Sequence, residues 1–289
     1  FGNSIFQRTW LALSIGLPHN LLDSPSPLNT ISIENYMHEL TSRAYLDAID
    51  QTIKSATSGR VAGMIAETIQ GYTGIIEMPQ GYLAGAAERV RAAGGLMVID
   101  EVQSGIGRTG DAFWAFESHG IVPDIAVLAK GIGNGYPIGA VVAKRHVAES
   151  MADKFMFHTY GSNPMSAAAA RQVLKVIKSE KLQDNAKAVG AALLARLQDL
   201  QQRFDCIGDV RGRGLMLAIE FVKDRGTKTP DPDMTAAVFE GTRQFGVIVS
   251  KSGPNRSVLR LVPPLCLSIE DIDPIATAFE RCIETALAS

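Results

Sequence analysis

Three short apolar runs constrain the fold of this chain more than any other feature of its sequence. They are VAGMIAETI at 61–69, GLMVIDEV at 95–102 and IVPDIAVLAKG at 121–131. Each run has the length of a strand, and segments of helix length separate the runs, such as YLAGAAERVRAAGG at 82–95. Strands that are buried on both faces and alternate with helices form parallel sheets. We therefore predict an α/β fold with a parallel-rich sheet.

The rest of the chain predicts further helices and a second, smaller unit. Residues 1–40 read as irregular, with a loop in LLDSPSPLNT, and residues 42–56 have apolar side chains at helical spacing. Residues 166–202 are rich in Ala, Leu and Lys and predict one long helix or two. Strand patterns follow in VRGRGLMLAIEFVKD and GVIVSKSGPNRSVLRLVPPLCLS, and an amphipathic helix closes the chain. We predict a large domain at 1–180 and a small α+β domain at 181–289.

Composition narrows the class of partner. The 289 residues carry 28 basic and 30 acidic side chains, which indicates neither a nucleic acid nor an anionic membrane surface. Three scattered cysteines favour a reducing compartment, and no apolar stretch reaches the ~20 residues of a membrane helix. Since the start of the chain lacks the pattern of a signal peptide, we expect a cytoplasmic location, with a mitochondrial one left open. The five histidines show no paired spacing, and we predict no metal site.

Polar residues stand where the apolar runs end, at Glu67, Asp100 and Lys130. In open parallel sheets, ligands bind beyond the carboxyl ends of the strands. Lys130 is open to three interpretations: a surface charge, part of a phosphate-binding glycine loop with Gly131, Gly133 and Gly135, or a desolvated amine that attacks carbonyls. The glycine pattern lacks a following G-K-[ST] and matches a nucleotide loop poorly.

Asp100 and Lys130 together suit pyridoxal 5′-phosphate. This cofactor needs an amine to hold its aldehyde and a carboxylate to keep its pyridine nitrogen protonated, so that the ring can accept electrons. Because the two residues end strands that we expect to be neighbours in a parallel sheet, they should approach each other. Taken alone, Asp100 is equally well explained as a helix cap or a salt-bridge partner.

The segment VIDEVQSGIGRTGDAFWAFESHGIVPDIAVLAKGIGNGYPIGAVV, at 98–142, closely resembles the lysine-bearing signature of the class III aminotransferases, which are fold type I pyridoxal-phosphate enzymes. The resemblance extends through AETIQGYTGIIEMPQGYL, HTYGSNP, VRGRGLMLAIE and VLRLVPPLCLS, and so covers most of the chain after about residue 60. Within the class, the chain is most similar to the alanine–glyoxylate type.

The resemblance implies a role for each matching residue. Lys130 would be the Schiff-base lysine, Asp100 the partner of the pyridinium, and Gln103 a donor to the ring oxygen of the cofactor. Thr159 would contact the cofactor phosphate across the subunit interface of a homodimer. Arg260 would hold the substrate carboxylate, although a surface arginine is the alternative for this residue. Glu67 matches a carboxylate near the substrate.

The sequence departs from the family pattern in several places. Thr68 stands where proline is usual, and Ser162 replaces a frequent glycine. Arg211 and Arg213 suggest an anion site, but exposed charges near a turn are the simpler interpretation. The upstream Gly-Ser turn and stacking aromatic of the family are not found, and FGNS at 1–4 resembles the end of its aromatic-His-Gly-Asn segment. We therefore expect a chain that lacks the N-terminal part of the large domain.

The resemblance implies a transaminase that moves an amino group from an amino acid, such as alanine, β-alanine or a similar ω-amino donor, to an oxo acid such as pyruvate or glyoxylate. Two alternatives stay open. The first is a phospho-lyase acting on an amino-alcohol phosphate with the same lysine. The second is a truncated homologue without catalytic activity.

Overall fold

The computed structural model describes residues 9–12 and 33–288. Contacts divide this part of the chain into two compact units. Unit 1 contains the described residues up to Thr68 together with Met78–Gln103 and Phe116–Val173, and unit 2 contains Ile69–Glu77, Ser104–Ala115 and the residues from Leu174 onward. The domain boundary predicted between residues 180 and 181 stays a prediction.

The described residues form both strands and helices. The strands are β1 (Thr9–Ala12), β2 (Val61–Glu67), β3 (Ile69–Gln70), β4 (Ile76–Glu77), β5 (Leu96–Asp100), β6 (Ile125–Leu128), β7 (Ala140–Ala143), β8 (Ile207–Arg213), β9 (Met216–Asp224), β10 (Thr229–Pro230), β11 (Ser250–Ser252) and β12 (Val258–Leu261). The helices are α1 (Ile33–Ala56), α2 (Tyr82–Ala92), α3 (Arg145–Glu149), α4 (Pro164–Ser179), α5 (Leu182–Arg203), α6 (Pro232–Thr242) and α7 (Ile272–Leu287).

The sheet of unit 1 has the order β1-β2-β5-β6-β7 within the described residues. Strands β1, β2, β5 and β6 are parallel, and β7 runs antiparallel to β6. The three apolar runs of the sequence form β2, β5 and β6, which confirms the predicted α/β class with a parallel-rich sheet. Parallel strands require crossover segments, and α2 lies in the one between β2 and β5.

Helices α1 and α2 cover the sheet of unit 1. The buried core contains Ile49 of α1, Leu83 of α2, Met64 of β2 and Met97 of β5. Gly85 of α2 is needed for this packing, because a Cβ there would lie 2.7 Å from a methyl carbon of Leu46 on α1. The apolar faces of the helices thus stabilise the strands that carry the candidate residues.

One buried carboxylate, Asp124, links three strands near the amino-terminal ends of β5 and β6. The Asp124 side chain is 5% exposed and accepts hydrogen bonds from the Met97 backbone at 2.8 Å, Arg91 Nε at 3.0 Å and Lys144 Nζ at 2.8 Å. Burial alone would raise the pKa of Asp124, but the hydrogen bonds from Lys144, Arg91 and Met97 outweigh it, so the pKa lies below its usual range. This set of hydrogen bonds, the Asp124 clamp, fixes the positions of β5, β6 and β7 relative to one another.

Unit 2 is built on an antiparallel sheet with the order β10-β9-β12-β11, in which β8 also pairs with β9. Its buried core contains Leu193 and Leu197 of α5, Phe221 of β9 and Phe279 of α7. Asp231 begins α6 by accepting a hydrogen bond from the Met234 backbone at 3.0 Å. This unit has the α+β character predicted for the C-terminal residues.

The structure differs from the predicted secondary structure near the start of the chain and refines it in residues 166–202. The prediction that residues 1–40 are irregular is wrong at Thr9–Ala12, which pairs with β2, and from Ile33, where α1 begins. Pairing with a strand some fifty residues away cannot be read from a window of sequence. Residues 166–202, predicted as one long helix or two, form parts of two helices. Helix α4 ends at Ser179 and α5 begins at Leu182, because Lys181 between them has a φ of +52°. The segments FGNS at 1–4 and LLDSPSPLNT lie outside the described residues.

Candidate functional site

The carboxyl ends of β2, β5 and β6 lie side by side in unit 1. In the register of the sheet, Glu67 of β2 is opposite Asp100 of β5, and Asp100 is opposite Val127 of β6. Neighbouring strands are about 4.8 Å apart. Lys130 comes three residues after Val127. Two carboxylates and one amine therefore lie at or just after the carboxyl ends of three adjacent strands.

Asp100 is half-buried at the last position of β5. Its Oδ1 accepts a hydrogen bond from the Val102 backbone at 2.9 Å, which holds the turn that leaves the strand. The next residue, Glu101, is buried and accepts a hydrogen bond from the Phe116 backbone at 2.9 Å. Glu101 was not singled out from the sequence, although an acid next to Asp100 at a strand end was visible there. Gln103 lies in the turn that follows and is half-buried.

Lys130 stands at the surface with an unusual backbone conformation. Its φ is +43°, in the left-handed region that costs a non-glycine residue about 1–2 kcal/mol. The Lys130 carbonyl accepts hydrogen bonds from Gly133 at 3.0 Å and Asn134 at 3.1 Å, which closes a tight turn. The expectation of a desolvated amine is wrong, because the Lys130 side chain is exposed and begins a strained turn. Strain of this kind is common at functional sites. The role of Lys130 as a Schiff-base lysine stays a prediction.

The glycine loop after Lys130 is packed too closely for side chains. A Cβ on Gly133 would lie 2.1 Å from the Tyr136 carbonyl oxygen, and Gly135 has a φ of +95°. The loop is also tied to α4, because Ser166 Oγ donates to the Pro137 carbonyl at 3.1 Å. The glycines therefore shape a backbone turn beside the lysine, and the start of α4 supports it.

Thr159 precedes α4 in an exposed turn of unit 1. The turn is closed by a hydrogen bond from the Gly161 backbone to the His158 carbonyl at 3.0 Å, and Asn163 Oδ1 accepts from the Met165 backbone at 2.9 Å to begin the helix. Ser162 has a φ of +56°, which gives a physical reason why glycine is frequent at this position of the family.

Arg260 belongs to unit 2, on β12, where it is half-buried. One guanidinium nitrogen donates to the Gly71 carbonyl at 3.1 Å, and the guanidinium carbon lies 5.7 Å from the centre of the Tyr72 ring. The alternative of a solvated surface arginine therefore does not describe this side chain. Its predicted role beside Lys130 stays a prediction.

The expectation of exposed charges in VRGRG is wrong for Arg211. Its side chain is 20% exposed and donates to the carbonyls of Gly74 at 2.7 Å and Ile75 at 3.1 Å, and to the carboxylates of Asp209 and Glu220 at 2.7 Å each. Backbone carbonyls from residues distant in sequence make this a structural position. Arg213 forms an ion pair with Glu77 at 2.7 Å.

Arg108 is a second arginine whose role the sequence did not indicate. It donates to the carbonyls of Leu215 and Pro263, and its own carbonyl accepts from the Leu215 backbone at 3.1 Å. Burial lowers the pKa of Arg108 to about 10. Because Pro263 lies three residues after Arg260, Arg108 holds the chain that leaves β12.

No group of three or more His, Cys, Asp or Glu side chains is arranged to hold a metal ion in residues 9–12 and 33–288. Over the same ranges, no helix is both long enough and apolar enough to cross a membrane.

Comparison with known proteins bears on this arrangement of strand ends. Residues 7–283 match the family model described as aminotransferase class III. The chain belongs to this family. An alanine–glyoxylate aminotransferase 2 homolog 2, mitochondrial, from Arabidopsis thaliana is 45% identical over 236 residues, which cover 82% of this chain and 49% of the relative. The mitochondrial alanine–glyoxylate aminotransferase 2 of Homo sapiens is 38% identical, covering 83% of this chain and 47% of the relative.

Solved structures support the same class III fold. A phospholyase from Arthrobacter, in complex with phosphoethanolamine, superposes with a TM-score of 0.83 at 34% identity, covering 88% of this chain and 61% of the other. The predicted family and its type I fold are thereby confirmed. The chain spans about half the length of the two curated relatives.

Proposed function

We propose that this class III aminotransferase chain binds pyridoxal 5′-phosphate and transfers an amino group from an amino acid to an oxo acid. The observation that carries the proposal is the register of β2, β5 and β6, which aligns Glu67 with Asp100 and Asp100 with Val127, three residues before Lys130. Alanine, β-alanine or a similar ω-amino acid is the proposed donor, and pyruvate or glyoxylate the proposed acceptor. The names of the two curated relatives support alanine as the donor and glyoxylate as the acceptor.

The residues at the strand ends fit the chemical needs of the cofactor. A carboxylate at Asp100 can keep the pyridine nitrogen protonated, and an exposed amine at Lys130 can bond to the aldehyde. We assign Gln103 to the ring oxygen and Thr159 to the phosphate. When bound, pyridoxal phosphate supplies an electron sink that stabilises negative charge on the carbon that carries the amino group.

Lys130 also moves the proton in this proposal. With the cofactor and substrate bound, the Lys130 amine would act as general base and general acid, removing a proton from the substrate carbon and returning it later in the reaction. Asp100 would accept a hydrogen bond from the protonated pyridine nitrogen throughout. Arg260 offers the planar guanidinium that suits a carboxylate, and Glu67 is assigned to the substrate side of the site.

A second candidate function is a phospho-lyase that eliminates phosphate from an amino-alcohol phosphate. The likeness to the Arthrobacter phospholyase favours it. Both reactions begin at the same amine, so the strand ends do not separate them. Phosphate release from phosphoethanolamine in the absence of any oxo acid would support the lyase, whereas amino transfer that requires an oxo acid supports the transaminase.

We infer a homodimer from the surface around Thr159. Phe155, Phe157 and Tyr160 are 92%, 73% and 85% exposed, and Met156 is exposed beside them. Exposed apolar patches of this kind mark interaction sites. A partner chain on this surface would cover the segment that carries Thr159. A cytoplasmic location stays a prediction, with a mitochondrial one as the alternative that the relatives' names favour.

Cofactor titration tests the proposal. Pyridoxal phosphate added to the full chain should produce a visible absorbance band, and Lys130→Ala should remove both the band and amino transfer. Lys181→Ala is the matched control, because Lys181 is also exposed and also left-handed, with a φ of +52°. A Lys130→Ala chain that keeps the band would refute the assignment. If the unmodified chain shows no band at saturating cofactor, the non-catalytic alternative is supported.

A further inference from the structure

A loop in unit 2, residues 71–75, is held in place by the sheet of that unit. Arg211 Nε donates to the Gly74 carbonyl at 3.0 Å and to the Ile75 carbonyl at 3.1 Å. The Gly253 backbone donates to the Tyr72 carbonyl at 3.5 Å. Gly74 has a φ of +125°, and a Cβ there would meet Arg211 at 3.1 Å. The backbone of the 71–75 loop is therefore fixed at several points.

This fixed loop presents two neighbours to Arg260. The Gly71 carbonyl accepts from one guanidinium nitrogen at 3.1 Å, and the Tyr72 ring faces the guanidinium carbon from 5.7 Å. The Tyr72 side chain is 73% exposed, so most of its ring surface remains open to a ligand. A cation over an aromatic ring is attracted by the negative charge density on the ring face.

We propose that Tyr72 determines the substrate preference of Arg260, favouring carboxylates over phosphates. The proposal rests on the assignment of Arg260 as the residue that binds the substrate anion. A carboxylate binds a guanidinium edge to edge, with its two oxygens in the guanidinium plane. This arrangement keeps the anion away from the face that the tyrosine ring occupies.

A phosphate has a different shape. Its tetrahedral oxygens project above and below the guanidinium plane, and one of them would approach the face of the Tyr72 ring. Because that face carries the negative part of the ring quadrupole, the contact is repulsive. The ring therefore acts as a shape and charge filter on one side of Arg260, and its hydroxyl group is not required.

Anion binding to two ring variants tests the proposal. Propionate and ethyl phosphate, which have the same alkyl group, are titrated calorimetrically into the full chain, both loaded with cofactor and free of it. The measured quantity is the ratio of the two dissociation constants. Tyr72→Ala should shift this ratio toward phosphate by about two- to fivefold, if the repulsion between the phosphate oxygen and the ring face is similar in size to one exposed cation–ring attraction. Tyr72→Phe keeps the ring and should leave the ratio unchanged.

Phosphate carries more negative charge than a carboxylate and binds Arg260 differently for that reason alone. This difference is the same in every Tyr72 variant, so it cancels when the ratios of dissociation constants are compared between these variants. An unchanged ratio in Tyr72→Ala overturns the proposal, and so does an equal shift in Tyr72→Phe, which would assign the effect to the hydroxyl. Arg260→Lys should weaken propionate binding, and unaltered binding also overturns it. Failure of the proposed function is visible separately as a missing cofactor band, since the anion ratio is measured in the cofactor-free chain as well.

Discussion

Replacing Asp124 by asparagine tests how the sheet that carries the candidate site is held together. The asparagine carbonyl can take the place of Oδ2 and accept from the Met97 backbone, as the carboxylate does at 2.8 Å. Its amide group then faces Lys144 Nζ, which donates to Oδ1 at 2.8 Å in the unmodified chain. One donor meets another, and two ion pairs lose their negative partner.

The size of the effect follows from these contacts. Hydrogen bonds to a buried charge contribute about 1.5–3 kcal/mol each. Arg91 and Lys144 are 37% and 36% exposed, so both can turn to water and recover part of the loss. We expect Asp124→Asn to lower the free energy of unfolding by about 1–3 kcal/mol. Asp50→Asn is the control, because the Asp50 side chain is 53% exposed and its pair with Arg89 should contribute under about 1 kcal/mol.

Urea unfolding followed by circular dichroism measures this difference, and its pH dependence identifies the cause. The pKa of Asp124 is lower in the folded chain than in the unfolded chain. Its stabilisation is therefore fully present above the unfolded pKa of about 3.9 and is lost as the pH falls through the lower folded value. The difference between the unmodified chain and Asp124→Asn should be constant from neutral pH to about pH 5 and shrink below it. If Asp124→Asn lowers the free energy of unfolding by no more than Asp50→Asn does, the Asp124 clamp does not stabilise the sheet as argued.

Two further substitutions test the candidate site. Gly133→Ala should open the turn after Lys130, because its Cβ would lie 2.1 Å from the Tyr136 carbonyl oxygen, and should weaken cofactor binding by about 1–3 kcal/mol as measured from the visible band. Gly139→Ala, whose Cβ would be 3.6 Å from the nearest atom, should have little effect, and equal losses would contradict the steric argument. Phe157→Asp should convert a dimer to a monomer in light scattering, whereas Val122→Asp, at another exposed apolar position, should not. A dimer that persists in Phe157→Asp would remove the support for this interface.

Much of the candidate site follows from local sequence patterns. The apolar runs that end at Glu67, Asp100 and Lys130 identify β2, β5 and β6, because a strand buried on both faces needs apolar residues throughout. The acid–amine pair at two strand ends follows from the same runs. The environment of Arg211 could not be predicted from local sequence. The neighbours of Arg211 in sequence are those of an exposed turn, but its partners include the carbonyls of Gly74 and Ile75, more than 130 residues away.

The sequence by itself determined the family, the class of fold and the identity of the residues at the strand ends. Only the tertiary structure decided that Glu67, Asp100 and Val127 share one line of the sheet, that β7 runs antiparallel to β6, and that Tyr72 lies over Arg260. The physical reason is the range of the interactions. Side-chain periodicity reports which face of a segment is buried, whereas register and ring contacts depend on which distant segment supplies the opposite surface.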